Sequence, residues 1–146
     1  MSEKEASELF EDLFGKHPVA RKFVLDYTRY VHMIDDWIDE DKNANHVLKT
    51  SAYALVVYTN PFFVQNAAVL GPIMLLVNNE YADSVEWENS GEDWKVKHAD
   101  VLRHCGYNIF LASVLLIHGY DRMREISIHF RERSHTMHLH DLIEKF

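Results

Sequence analysis

The sequence predicts an all-α fold: a single domain of five to six helices, arranged as a helical bundle with a central antiparallel helix hairpin. Two observations carry this. The five glycines and three prolines punctuate the chain at intervals, at Gly15, Pro18, Pro61, Gly71-Pro72, Gly91, Gly106 and Gly119. Between them the apolar residues recur at helical spacing, and the longest strand-like alternation runs only from Ile126 to Phe130. With 146 residues, 47% of them hydrophobic, the chain has the size of one globular domain and enough apolar material for a core.

A first helix is expected over about Glu3–Phe14, with Leu9, Phe10, Leu13 and Phe14 as its apolar side. Ser2 and Glu5 have the spacing of a capping box, and Gly15 marks the stop. The second begins at Pro18, whose fixed φ suits a first turn, and continues to about Asp41 with Phe23, Tyr27, Tyr30, Ile34 and Ile38 on one face. A third covers about Ala44–Tyr58 and ends before Asn60-Pro61. Pro61–Leu70 reads as a short helix and Pro72–Glu88 as a longer one, with a kink or break at Gly71-Pro72. After a turn at Asn89-Ser90-Gly91, one long apolar helix is expected over about Glu92–His118, capped by Gly119. Tyr120–Phe146 alternates Arg with acidic residues, and its helical pattern weakens from about residue 134.

Charge and composition narrow the function. A net charge of −8 argues against broad binding to a nucleic-acid backbone, which needs a basic face. The longest apolar run, Ala67–Val77, is broken at Gly71-Pro72 and falls short of the roughly 20 residues that span a bilayer, so no membrane partner is expected. The N-terminus lacks the features of a secretory signal, and the single Cys105 permits no internal disulfide, which together lead to a cytoplasmic expectation. Cys105 falls on an apolar helix face, where a thiol is inert. No glycine-rich phosphate loop is present.

The acids supply the candidate chemistry. If Pro72–Glu88 and Glu92–His118 fold back on one another about Ser90, residues equally far from that turn lie level. Glu80 is then level with Asp100, and Asp83 with Lys97. Glu80 and Asp83 share one flank of their helix, beside Val77, Tyr81 and Val85, while Lys97, Asp100 and His104 share a flank of theirs. One hand of the hairpin brings the flanks together and the other separates them. Brought together, Glu80, Asp83 and Asp100 form a set of hard oxygen ligands of the kind that holds Mg²⁺ or Mn²⁺ against substrate phosphates and polarises an attacking water.

Asn79-Glu80-Tyr81-Ala82-Asp83, followed after thirteen residues by Lys97-His98-Ala99-Asp100-Val101-Leu102-Arg103, resembles the ExxE and ExxD pair of the all-α nucleoside triphosphate pyrophosphohydrolases of the MazG and dimeric dUTPase types. The resemblance covers about 40 residues, Val77–Leu116. It implies Mg²⁺-dependent hydrolysis of a nucleotide or related diphosphate, with Glu80, Asp83 and Asp100 as catalytic metal ligands. If the second helix is central and covered on both sides, His32, Asp36 and Asp39 would add auxiliary ligands. Lys97, Arg103 and His104 would contact the small phosphorylated substrate. Lys97 stands where the family has a glutamate, and a lysine level with Asp83 would pair with it instead.

A second constellation, Asp35-Asp36-Trp37-Ile38-Asp39, contains Asp-Asp-x-x-Asp and resembles the first aspartate-rich motif of isoprenoid diphosphate synthases. It implies an alternative diphosphate chemistry centred on Asp35, Asp36 and Asp39. His32 and these acids lie opposite the apolar face of their helix, so a solvated acidic surface is the plain alternative. His98 falls within the apolar stripe Trp94, Val101, Cys105, Ile109, Ala112 and Leu116, which predicts a buried, structural histidine. Trp37, Trp87 and Trp94 are expected in core or interface packing. Glu132-x-x-His135 has the spacing of a di-iron ligand pair, and His135, His138 and His140 form a short run able to take up transition metals. A third reading, from a different class, is a non-catalytic helical interaction protein whose acids keep it soluble. The apolar helices predict self-association, most simply a homodimer.

Overall fold

The computed structural model describes the backbone of residues 1–40 and 44–136 and the side chains of residues 1–39 and 45–133. Among the described residues there is no strand. Eight α-helices and one 3₁₀ turn follow in order: α1 (Glu3–Phe14), α2 (Pro18–Glu40), α3 (Ala44–Thr59), α4 (Pro61–Gln65), α5 (Ala67–Glu88), α6 (Asp93–Arg103), the 3₁₀ turn His104–Gly106, α7 (Tyr107–His118) and α8 (Tyr120–Thr136). The all-α expectation holds, with more helices than expected. The contacts divide the chain into two compact units, one ending at Ala67 and the other beginning at Ala68.

The first unit is built on α2. The capping box starts α1 as expected: the Ser2 hydroxyl accepts the Glu5 N–H at 3.1 Å, and the Glu5 carboxylate accepts the Ser2 N–H at 2.6 Å. That bond to the Ser2 N–H holds the Glu5 carboxyl below its ordinary range. Ala6, Phe10, Leu13 and Phe14 of α1 are buried, and Arg21 of α2 reaches Glu11 at 3.0 Å. Along α2 the expected apolar face is buried at Phe23 and Tyr27, half-buried at Tyr30 and Ile34, and exposed by Ile38. Helix α3 packs along α2, with Val57 fully buried. The Tyr30 and Tyr58 rings meet edge-on, and the His46 ring lies flat on Trp37 while its Nε2 donates to the Met33 carbonyl at 2.8 Å. Helix α4 closes the aromatic cluster by placing Phe62 and Phe63 against Phe23. Its N-cap Asn60 is buried: Oδ1 accepts the Phe62 N–H at 2.8 Å, and Nδ2 donates to the Val19 carbonyl at 3.2 Å.

The second unit departs from expectation at two points. Of the kink or break foreseen at Gly71-Pro72, the break does not occur: α5 begins at Ala67 and runs through Pro72. In the second turn of the helix the proline leaves the Ala68 carbonyl without its helical donor and crowds it, on an exposed side of the helix that solvent reaches. Conversely, the single helix expected over Glu92–His118 narrows to a 3₁₀ turn at His104–Gly106. The stretch Asp93–His118 is nevertheless continuous, 26 residues long, and by length and composition apolar enough to cross a membrane; 39% of its most apolar window is buried. The expectation of no such helix considered only uninterrupted apolar runs, whereas this stretch reaches its length by tolerating scattered polar residues.

Helix α7 is the most buried segment of this unit, with Tyr107, Ile109–Val114 all enclosed. Gly119, at φ +88°, turns the chain so that α8 packs along α7. Phe110 meets Phe130 at 4.9 Å between ring centroids, the Tyr107 hydroxyl donates to the Ser127 carbonyl at 2.6 Å, and Arg131 lies over the Tyr107 ring.

Candidate functional site

The acids singled out above lie on α5 and α6, so the way these two segments meet decides what they can do. Three contacts join them. The Trp87 and Trp94 rings meet edge-on at 5.3 Å. Arg103 bonds Glu88 and lies 5.4 Å above the Tyr81 ring. Cys105 Sγ donates to the Val77 carbonyl at 3.2 Å.

Within this frame the predicted ligands are spread out. Glu80 is half-buried, close enough for its charge to act on Cys105, whereas Asp83 and Asp100 are exposed. Among the described residues no group of three or more His, Cys, Asp or Glu side chains gathers so as to hold a metal ion. The residues present therefore do not fit a Mg²⁺ centre in this arrangement.

Lys97 pairs with Asp93, one turn earlier on its own helix, at 2.9 Å, which corrects the expected pairing with Asp83. An i,i+4 partner on the same helix is reached without spanning two helices. Arg103 is engaged by Glu88 and Tyr81. The His104 Nδ1–H donates to the Asp100 carbonyl at 2.6 Å, with the Asp100 carboxylate 3.8 Å away. On α2, Asp35 and Asp36 are half-buried, Asp39 is exposed, and His32 stands 3.7 Å from Asp36. The side chains of His135, His138 and His140 lie outside the described residues.

His98 is exposed rather than buried, its Nδ1–H donating to the Trp94 carbonyl at 2.7 Å. The stripe assumed one continuous helical phase from Trp94 to Leu116. The 3₁₀ turn resets that phase, so Cys105, Ile109 and Ala112 face the core while Trp94 and Val101 face out. Around the exposed Trp94, Lys95 bonds Glu92 at 2.7 Å and lies over the indole ring. That bond holds the Glu92 carboxyl below its ordinary range.

Cys105 is buried, and burial, reinforced by the negative charge of Glu80, pushes its thiol up to about 11. The expected inertness follows from this environment.

The feature that sequence reasoning passed over is the outer side of α3. Val57 and His46 point toward α2, but Leu48 is 68% and Leu55 67% exposed, flanked by the exposed Val47, Val56 and Tyr58. A signal was present: the sixteen residues from Ala44 to Thr59 include no Asp or Glu, so the helix has no acidic side to give to water. No protein-family model, curated protein or solved structure matches the chain.

Proposed function

We propose that this chain is a non-catalytic helical interaction protein that uses the outer face of α3 as its contact surface. The observation that carries this is the exposure of Leu48 and Leu55 on a helix already packed through its other side. Leaving two leucines two-thirds in water forgoes roughly 2–3 kcal/mol that a covering surface would return. The surplus of carboxylates elsewhere maintains solubility around such a face. The test is thiol labelling of Leu55→Cys in the full chain, since the buried Cys105 contributes little background. Slower labelling in an extract of the source cell than in dilute purified protein is expected, and equal rates would refute the reading.

A second reading, Mg²⁺- or Mn²⁺-dependent hydrolysis of a nucleotide or related diphosphate by Glu80, Asp83 and Asp100, is favoured by the contacts that join α5 to α6 and the 3₁₀ turn after it. It supposes that these helices form the central hairpin of a bundle and that substrate draws the three acids together. A ligand bound by the folded state raises the melting temperature. A rise with millimolar Mg²⁺ and a panel of nucleoside triphosphates together that Asp100→Ala abolishes would favour this reading, and no rise with any of them would remove it.

A further inference from the structure

The outer face of α3 is patterned as well as apolar. Leu48, Ala52, Leu55 and Thr59 follow one another at spacings of four, three and four residues, the seam of a helix that packs against another helix by knobs into holes. Large and small residues alternate along it. In a parallel pair each seam position faces its own copy, stacking Leu on Leu and leaving Ala against Ala. In an antiparallel pair positions of opposite phase face each other, so Leu55 meets Ala52 and Leu48 meets Thr59, each leucine filling the space a small side chain leaves. The antiparallel direction is thus the one that sets large against small all along the seam.

Charge points to the same occupant. Two copies of a chain with a net charge of −8 repel wherever acidic faces approach. Among the described helices of more than ten residues, only α3 and α7 lack Asp and Glu, and α7 is largely enclosed. The outer face of α3 lets like copies meet without burying carboxylates; the acid-free first half of α5, with Leu75 and Leu76 exposed, shares that property but lacks the alternating seam. We infer that the partner of this face is a second copy of the chain, bound as an antiparallel, two-fold α3–α3 pair. This rests on the reading of α3 as a contact surface given above. The outer side of a sixteen-residue helix offers roughly 400–500 Å², about half of what each partner gives a standard interface, so the pair is expected to be weak and concentration-dependent.

The experiment is sedimentation of the purified full chain across concentrations up to about 1 mM, with circular dichroism as the control for folding. The expected result is a reversible monomer–dimer shift, lost in Leu55→Glu and kept in Leu75→Glu, whose leucine is 73% exposed on α5. A chain monomeric throughout overturns the inference, as does a dimer that survives Leu55→Glu or is lost equally in Leu75→Glu. Direction is read by cysteine cross-linking in a Cys105→Ser background. Leu48→Cys mixed with Thr59→Cys should cross-link, and Leu48→Cys alone should not, because the antiparallel pair holds its two copies about 16 Å apart along the axis. Cross-linking of Leu48→Cys alone would overturn the antiparallel arrangement. A monomeric purified protein whose Leu55→Cys is still protected in cell extract would overturn self-pairing alone, leaving α3 as a surface for another partner.

Discussion

Cys105 turns the environment beside Glu80 into a measurable pH dependence. Burial and the Glu80 charge move its thiol from an ordinary value of 9.0 up to about 11 in the folded chain. Above pH 9 the unfolded chain releases this proton while the folded chain retains it, so stability falls as pH rises from about 9 to 11 and is unaffected below. Between pH 8 and pH 10 the predicted loss is about 1 kcal/mol, since one unit of separation corresponds to roughly that much. Cys105→Ser isolates this contribution, because serine does not titrate in the range yet can still donate to the Val77 carbonyl. Urea unfolding of both proteins at pH 8 and pH 10 makes the comparison, and the tyrosine and lysine contributions common to both cancel. The parent should lose about 1 kcal/mol more than the serine variant. Identical losses would show that the thiol is not held protonated, and the placement of Val77 and Glu80 around it would fall with that result.

Further outcomes follow from other contacts. Asn60→Ala removes both the cap on Phe62 and the bond to Val19 and should cost about 2 kcal/mol in urea unfolding, whereas Asn60→Asp keeps the cap and should cost about half as much. Lys97→Glu breaks an exposed pair with Asp93 and places two like charges one turn apart, so without metal it should cost no more than about 1 kcal/mol. A gain in melting temperature for this variant on adding Mg²⁺, larger than the parent's, would favour the hydrolase reading. Tyr107→Phe deletes the buried bond to Ser127 and should destabilise by about 1 kcal/mol, measured as a lower urea midpoint at unchanged slope.

The helices that were legible in the sequence are those whose ends are set by local chemistry. Ser2 and Glu5 cap α1 through bonds spanning three residues, and Pro18 starts α2 by its own φ. The errors arise where the same local signals meet a longer-range balance. Pro72 signals a kink or break, yet α5 runs through it, and the Ala68 carbonyl that loses its donor lies on an exposed side that water can reach. Trp94, His98 and Val101 read as core only while the helix keeps one phase, and three residues of tighter winding at His104–Gly106 suffice to turn them outward.

The candidate site divides along the same line. Spacing places Glu80, Asp83, Lys97 and Asp100 level across a turn only if the two helices fold back side by side, and the contacts of Trp87, Arg103 and Cys105 show where α5 touches the stretch after the turn. Spacing is silent on lateral approach, because level residues on two helices touch only if their flanks face. Lys97 therefore settles on Asp93, one turn away on its own helix, and does so at little entropic cost. For α3 the inverse holds. Its pattern has two apolar sides, and sequence alone does not say which side α2 covers. Once Val57 is seen to be buried and His46 to bond α2, Leu48, Ala52, Leu55 and Thr59 are left as an exposed, acid-free outer seam, which the burial of the other side alone makes visible.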